Sequence, residues 1–275
     1  MKTTKGNRMN KWIVFILAAA IGMPVMAADM QETKTDRNKE VRVVTEKVVQ
    51  TAGRNVLGDL APEFAHYNDD ILFGEIWNKQ DVLDLRQRSM ITVAGLMGLG
   101  ITDNSLKYHI GNAKNHGVTK AEMVDEITQL AFYLGWPKAW AVFPMVKEVY
   151  EKDVSGAKPP AETKTTPMEK QTAGRRALGE LAPEFARYND DILFGEVWAR
   201  NKVLSPHDRS MITIAGLMGA GVMDNAFHAH LQMGKAHGMK KSEIVDEITQ
   251  LAFYTGWPKA WAAFGLVKEV YGVGE

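Results

Sequence analysis

Apolar residues recur at helical spacing along most of this chain, and no run sustains a period of two. After Pro62, a fitting first-turn residue, Glu63 to Trp77 carries Phe64, Ile71, Leu72 and Phe73 at intervals that suit a helix. Asp84 is placed to cap a second helix, Leu85 to Leu99, and Asp103 a third that stops at His116-Gly117. Thr119 and Glu122 have the spacing of a capping box and open a helix to Leu134. Gly135-Trp136-Pro137 breaks the chain, and Pro137 starts a last helix to Tyr150. β-Branched residues, as in RSMITVAGLMG, sit inside helical spacing rather than in alternation. The pattern predicts an all-α protein.

The pattern then repeats. Residues 50–150 recur without a gap at 171–271, so that Ala52 corresponds to Ala173 and His109 to His230. About two thirds of the paired positions are identical, which marks a tandem duplication of a whole domain of five or six helices rather than a short solenoid repeat. Domain one is expected at 50–151 and domain two at 171–275. The stretch 152–170, rich in Pro, Thr, Lys and Glu, reads as a linker, and 29–49 as a polar lead-in. In the second copy Ser205, Pro206 and Asp208 form a better helix start. Lys240 replaces the capping threonine, although Glu243 stays.

Residues 1–28 have the layout of an export signal. Lys2, Lys5, Arg8 and Lys11 precede the apolar stretch Trp12 to Met23, and Ala27 or Ala28 offers a cleavage point. The expected location is the periplasm, with no stable membrane span after signal removal. Charge adds an exclusion: 33 basic residues balance 33 acidic ones with no basic stripe, which gives no footprint for nucleic acid. Cysteine adds another. The chain has none, so neither disulfides nor thiolate chemistry is open to it.

The order RSMITVAGLMGLG, a helix bearing one histidine, then HGVTKAEMVDEITQLAFYLGWPKAW resembles the carboxymuconolactone decarboxylase family, and the likeness covers both copies almost end to end. The family includes alkyl hydroperoxide reductase D-like proteins that use a Cys-x-x-Cys-x-x-x-His motif, and decarboxylases that keep the histidine without the cysteines. On this chain His109 and His230 match the histidine. Thr102 and Ser105, and in the second copy Met223 and Ala226, stand at the cysteine positions. The resemblance therefore implies the decarboxylase branch: loss of CO₂ from a lactone acid without metal or organic cofactor.

That chemistry needs a proton carrier and groups that hold a carboxylate. His109 and His230 are the candidate proton carriers, and Glu75 and Glu196 the candidate second acid/base groups. Arg88 and Arg209 are candidate carboxylate clamps, because a guanidinium binds a carboxylate in two-pronged fashion. Glu126, Glu247, Trp136 and Trp257 are candidate lining residues. His116 and His237 precede a glycine and are read as structural, and the aromatics Tyr133 and Tyr254 as packing. His228 and His230 lie two apart, off a common helix face, so no metal site is expected. The expected partners are a small carboxylate or lactone and further copies of the chain, as a trimer of two-domain chains. Two other readings stay open: a non-catalytic binding or scaffold protein, and a redox relative that has lost its thiols.

Overall fold

The computed structural model describes residues 47–151 and 172–273. The expected export signal, almost all of the lead-in and the linker fall outside the described residues. Repeat one comprises α1 (Ala52–Leu57), α2 (Pro62–His66), a π-helical stretch π1 (Tyr67–Ile76), α3 (Leu85–Leu99), α4 (Asn104–Asn115), α5 (Lys120–Leu134) and α6 (Trp136–Glu151). Repeat two follows the same order: α7 (Ala173–Leu178), α8 (Pro183–Arg187), π2 (Tyr188–Val197), α9 (Pro206–Ala220), α10 (Asn225–Ala236), α11 (Lys241–Thr255) and α12 (Trp257–Tyr271). The fold is all-α, two domains in tandem. Among the described residues no helix is long and apolar enough to cross a membrane.

The helix starts follow the expected caps. The Asp84 carboxylate accepts from Gln87 N at 2.7 Å while the Gln87 side chain accepts from Asp84 N at 3.1 Å. Asp103 and Asp224 each accept from the amide two residues on at 2.8 Å. Thr119 and Glu122 close their reciprocal box. At Lys240 half of that box survives: the Glu243 carboxylate accepts from Lys240 N at 2.6 Å, but an ammonium group has nothing with which to accept in return. Gly117 takes φ 88°, the left-handed C′ conformation.

One expectation changes. Glu63 to Trp77 is not one α-helix. It is a short α-helix followed by ten residues of π-helix, in which the amide of Trp77 reaches back five residues to Leu72 O at 3.0 Å. The same switch recurs in repeat two, where Trp198 N reaches Leu193 O.

The two repeats are not beads on a string. Helices α3 and α9 are buried along nearly their whole length and cross one another at glycine. A Cβ on Gly98 would lie 2.3 Å from Gly216 O, and one on Gly219 would lie 2.2 Å from Gly95 O. Only hydrogen fits there, so the backbones touch directly. One hydrophobic core runs through both repeats around this crossing.

Polar groups lock the crossing reciprocally. Arg88 on α3 is fully buried and donates to Gln250 Oε1 at 2.6 Å and to Asp246, both on α11 of repeat two, and to Lys79 O. Its counterpart Arg209 on α9 donates to Gln129 Oε1 at 2.6 Å and to Asp125 on α5 of repeat one, and to Arg200 O. Each glutamine returns a bond to the facing helix: Gln250 Nε2 to Thr92 Oγ1 and Gln129 Nε2 to Thr213 Oγ1, both at 2.8 Å. A lone buried guanidinium would cost several kcal/mol in desolvation, and here an aspartate and a glutamine from the other repeat offset it.

Candidate functional site

Helix α4 buries Leu106, His109, Ile110 and Ala113, at i, i+3, i+4 and i+7, a stripe that carries the histidine on its inner face. There His109 meets Trp77, the residue just after π1. The rings stack at 6.1 Å and 14° between planes. Trp77 is 1% exposed and also meets Phe73, stacked at 6.0 Å, and His116, at 5.8 Å. A third ring comes from the opposite repeat: Tyr254 on α11 lies edge-on to His109 at 5.2 Å and 84°. Its hydroxyl accepts a hydrogen bond from Trp77 Nε1 at 2.9 Å.

Repeat two reproduces the arrangement with the roles exchanged. Trp198 stacks on His230 at 6.1 Å, and Tyr133 of repeat one lies edge-on to His230 at 5.0 Å. Trp198 Nε1 donates to Tyr133 Oη at 2.9 Å. Each site thus takes its histidines and tryptophan from one repeat and its phenol from the other.

The electrostatics follow from burial. His109 is 7% exposed, and its Nδ1 is buried without a hydrogen-bond partner. Desolvation, with a smaller contribution from His116, pushes its pKa down to about 4, so the ring is neutral at pH 7. His230 is lowered to about 4 in the same way, with His237 as the smaller cause. Burial raises the Tyr254 and Tyr133 phenols, which stay protonated. Since Trp77 occupies a lone pair of the Tyr254 oxygen and no described residue accepts its proton, that O–H is left free to donate.

His116 is fixed by chemistry that can be read off. Ser89 Oγ gives its proton to Leu85 O at 2.7 Å, so it can only accept from His116 Nδ1 at 2.8 Å. His116 is therefore the Nδ1–H tautomer with Nε2 as an acceptor. Ser210 and His237 repeat this, with Pro206 O as the serine's acceptor.

Over His109 lies an open groove of about 460 Å³. His109, Tyr254, Tyr108 and Phe73 form its aromatic lining, and Asn68, Asn104, Ser105 and Gln50 its polar lining. Among the described residues no charged side chain lines it. Small-molecule sites commonly combine apolar walls with a few convergent polar groups in this way.

Comparison with known proteins fits this duplicated architecture. The profile of the carboxymuconolactone decarboxylase family matches the chain twice, at residues 62–148 and 183–269. The chain belongs to the carboxymuconolactone decarboxylase family. It is also similar to the 4-carboxymuconolactone decarboxylase of Acinetobacter baylyi, 32% identical over 123 residues, which cover 45% of this chain and 90% of that protein.

Of the sequence candidates, the structure places His109 at the groove and His230 in the matching buried ring cluster of repeat two. Ser105, at one of the positions where thiol-using family members carry cysteine, lines the groove beside His109. The remaining candidates lie elsewhere. Glu75 and Glu196 are exposed, while Trp77 and Trp198, two positions on, turn inward. Arg88 and Arg209 are not carboxylate clamps: both are committed to aspartate and glutamine across the repeat boundary. Trp136 and Trp257 are 54% and 57% exposed and pack edge-on against Phe132 and Phe253 rather than over a histidine.

Glu126 and Glu247 are fully buried, with both carboxyl oxygens unpartnered, and neither lines the groove. Sequence reasoning missed Trp77, Trp198, Tyr133 and Tyr254 as site residues. The tyrosines looked like packing because the helix that carries each belongs, in sequence, to the other domain.

Proposed function

We propose that the chain is a cofactor-independent decarboxylase or lactone-processing enzyme acting on a small carboxylate, with His109 and Tyr254 as the reacting pair of the groove and His230 and Tyr133 as the equivalent pair of the second repeat. The observation that carries this reading is the pairing of a buried neutral imidazole with a phenol whose proton is free, both opening on the same uncharged groove.

The chemistry follows from the charges. A substrate carboxylate entering the groove meets neutral donors such as Asn104, Asn68 and Ser105 rather than a guanidinium. Its charge beside His109 raises the affinity of that imidazole for a proton, so His109 takes one up from solvent as the substrate binds. When the carbon–carbon bond breaks, CO₂ leaves and the electron pair passes into the unsaturated lactone as an enolate. The Tyr254 hydroxyl donates a hydrogen bond to the enolate oxygen, and the His109 imidazolium returns its proton to carbon. A clamp that bound the carboxylate tightly would stabilise the ground state as much as the transition state and add nothing to the rate. The commitment of Arg88 to the repeat boundary is consistent with this.

The deciding experiment is turnover of 4-carboxymuconolactone, followed by absorbance, in the wild type and in the His109→Ala/His230→Ala double variant. The reading expects turnover in the first and its loss in the second. Equal rates would remove the site assignment. A wild-type chain that binds the lactone at the groove without turning it over would leave a binding protein on this fold.

A further inference from the structure

A second cavity, of about 250 Å³, adjoins the groove on the far side of Tyr108. The two share Gln50, Phe73 and Tyr108, and Gln50 Nε2 donates to Tyr108 Oη at 2.9 Å. That bonded pair is the bar between them. Tyr108 is 47% exposed, and its ring meets His109 edge-on at 5.2 Å. Gln50 is held in place in turn, its Oε1 accepting from the amides of Thr51 and Ala52.

The chamber differs from the groove in character. Asn112, Asn115, His116 and Lys47 line it, with Trp77 and Leu85 on the apolar side. Among the described residues no side chain bonds the amide of Asn112 or Asn115, and no acidic residue lines the chamber. Two free carboxamides and an ammonium group supply donors. His116 Nε2, left open by the Ser89 bond, supplies an acceptor that can take up a proton. Repeat two lacks these polar groups: Met233 and Ala236 stand where repeat one has Asn112 and Asn115, and Ala229 stands where it has Tyr108.

We propose that this chamber is a second subsite of the repeat-one site, taking a carboxylate on the far end of an elongated ligand whose other end lies beside His109, and that repeat two has no such subsite. The first half rests on the reading of the groove as a carboxylate site; the chamber itself stands on its own residues. The donors suit an anion, and its charge next to His116 lets Nε2 gain a proton on binding. The Gln50–Tyr108 bond opens to let the ligand span both cavities.

The test uses the full chain, with the ring signals of His109 and His116 followed separately by NMR and affinities taken from calorimetry. The probes are phenylacetate and 4-carboxyphenylacetate. The expected result is that phenylacetate shifts His109 alone. The dicarboxylate should also move His116 toward its protonated form and bind roughly tenfold more tightly, as one added charged hydrogen bond would give. Asn112→Met/Asn115→Ala, which installs the repeat-two residues, should erase that advantage and leave phenylacetate binding unchanged. If the dicarboxylate shifts His109 alone, or the variant keeps the advantage, the subsite is wrong while the groove reading stands. If the dicarboxylate shifts His116 but neither probe shifts His109, the groove reading fails and the chamber remains an anion site. Signals unmoved by both probes overturn both.

Discussion

Trp77 of the first repeat donates its indole proton to the phenol oxygen of Tyr254 in the second, and the His109 ring lies against both. This bond makes the site a joint product of two domains. Tyr254→Phe should reduce the turnover at the His109 site by about a hundredfold, the cost of losing one donor to a developing oxyanion, while stability falls by only ~1 kcal/mol. Rates in a double-mutant cycle test the pairing. Tyr254→Phe should add nothing to His109→Ala, whereas Tyr254→Phe with His230→Ala should disable both sites. If Tyr254 instead couples to His230, the assignment is reversed.

Gly98→Ala and Gly219→Ala probe the helix crossing. The new methyl would sit 2.3 or 2.2 Å from a carbonyl oxygen of the facing helix, so α3 and α9 must move apart. Overpacking of this kind costs about 1–3 kcal/mol, and more where backbone rather than side chain must yield. Urea denaturation should show a lower midpoint for both variants. Gly111→Ala, with open space around its Cβ and a helical backbone, should be neutral or stabilising.

Arg88 separates a clamp from a cross-brace. Arg88→Met leaves Asp246 buried at 3% side-chain exposure with only Lys79 to pair it, and should cost ~3–5 kcal/mol. Adding Asp246→Leu should recover much of the loss. A role in substrate binding would instead raise KM with stability unchanged.

Two pairs of buried groups give stability opposite dependences on pH. Burial raises the Glu126 and Glu247 carboxyls well above their ordinary value of 4.5. Their contribution is fully present below that value and is lost as pH rises through the raised folded value. Glu126→Gln/Glu247→Gln should therefore be more stable than the wild type at pH 8 and lose that advantage below pH 4. His109 and His230 run the other way. Their folded values are about 4 against 6.5 unfolded, so their contribution, on the order of 3 kcal/mol each, is present above pH 6.5 and lost as pH falls toward 4. Thermal unfolding across pH 4–8 with His109→Phe/His230→Phe should flatten the acid limb.

Self-association is expected from the surface. Trp140 and Trp261 are 74% and 75% exposed, each one helical turn beyond the exposed Trp136 and Trp257, so both repeats carry the same apolar face. Light scattering should give about three times the 30.6 kDa of one chain, and Trp140→Lys/Trp261→Lys should return the mass to one. A single-chain mass for the wild type would end the proposal.

Much of the fold was legible because local chemistry specifies it. Asp84, Asp103, Thr119 and Ser205 can each satisfy an open helix terminus, and Gly117 and Gly238 tolerate the left-handed turn that ends one. His109 was legible because it matches the histidine of the family motif, and the structure sets it on the buried stripe of α4. What periodicity cannot give is the partner of a buried face. It does not show that Arg88, Asp125 and Tyr254 each point into the other repeat. Glu75 suits the chemistry as a residue type, but its side chain faces solvent while Phe73 and Trp77 take the inner positions.

The exchanged tyrosines bear on how such a chain can diverge. In a dimer of identical subunits, every substitution alters both grooves at once, so neither can change its ligand without the other. Covalent fusion removes that constraint. Tyr108 and Asn112 could be replaced by Ala229 and Met233 in one half while Trp77 and Trp198, His109 and His230 stayed fixed. Yet each half still depends on a phenol carried by its neighbour, so the halves are free to specialise but not to separate. A gene fragment encoding either repeat alone would rebuild a complete site only by pairing with a second copy of itself.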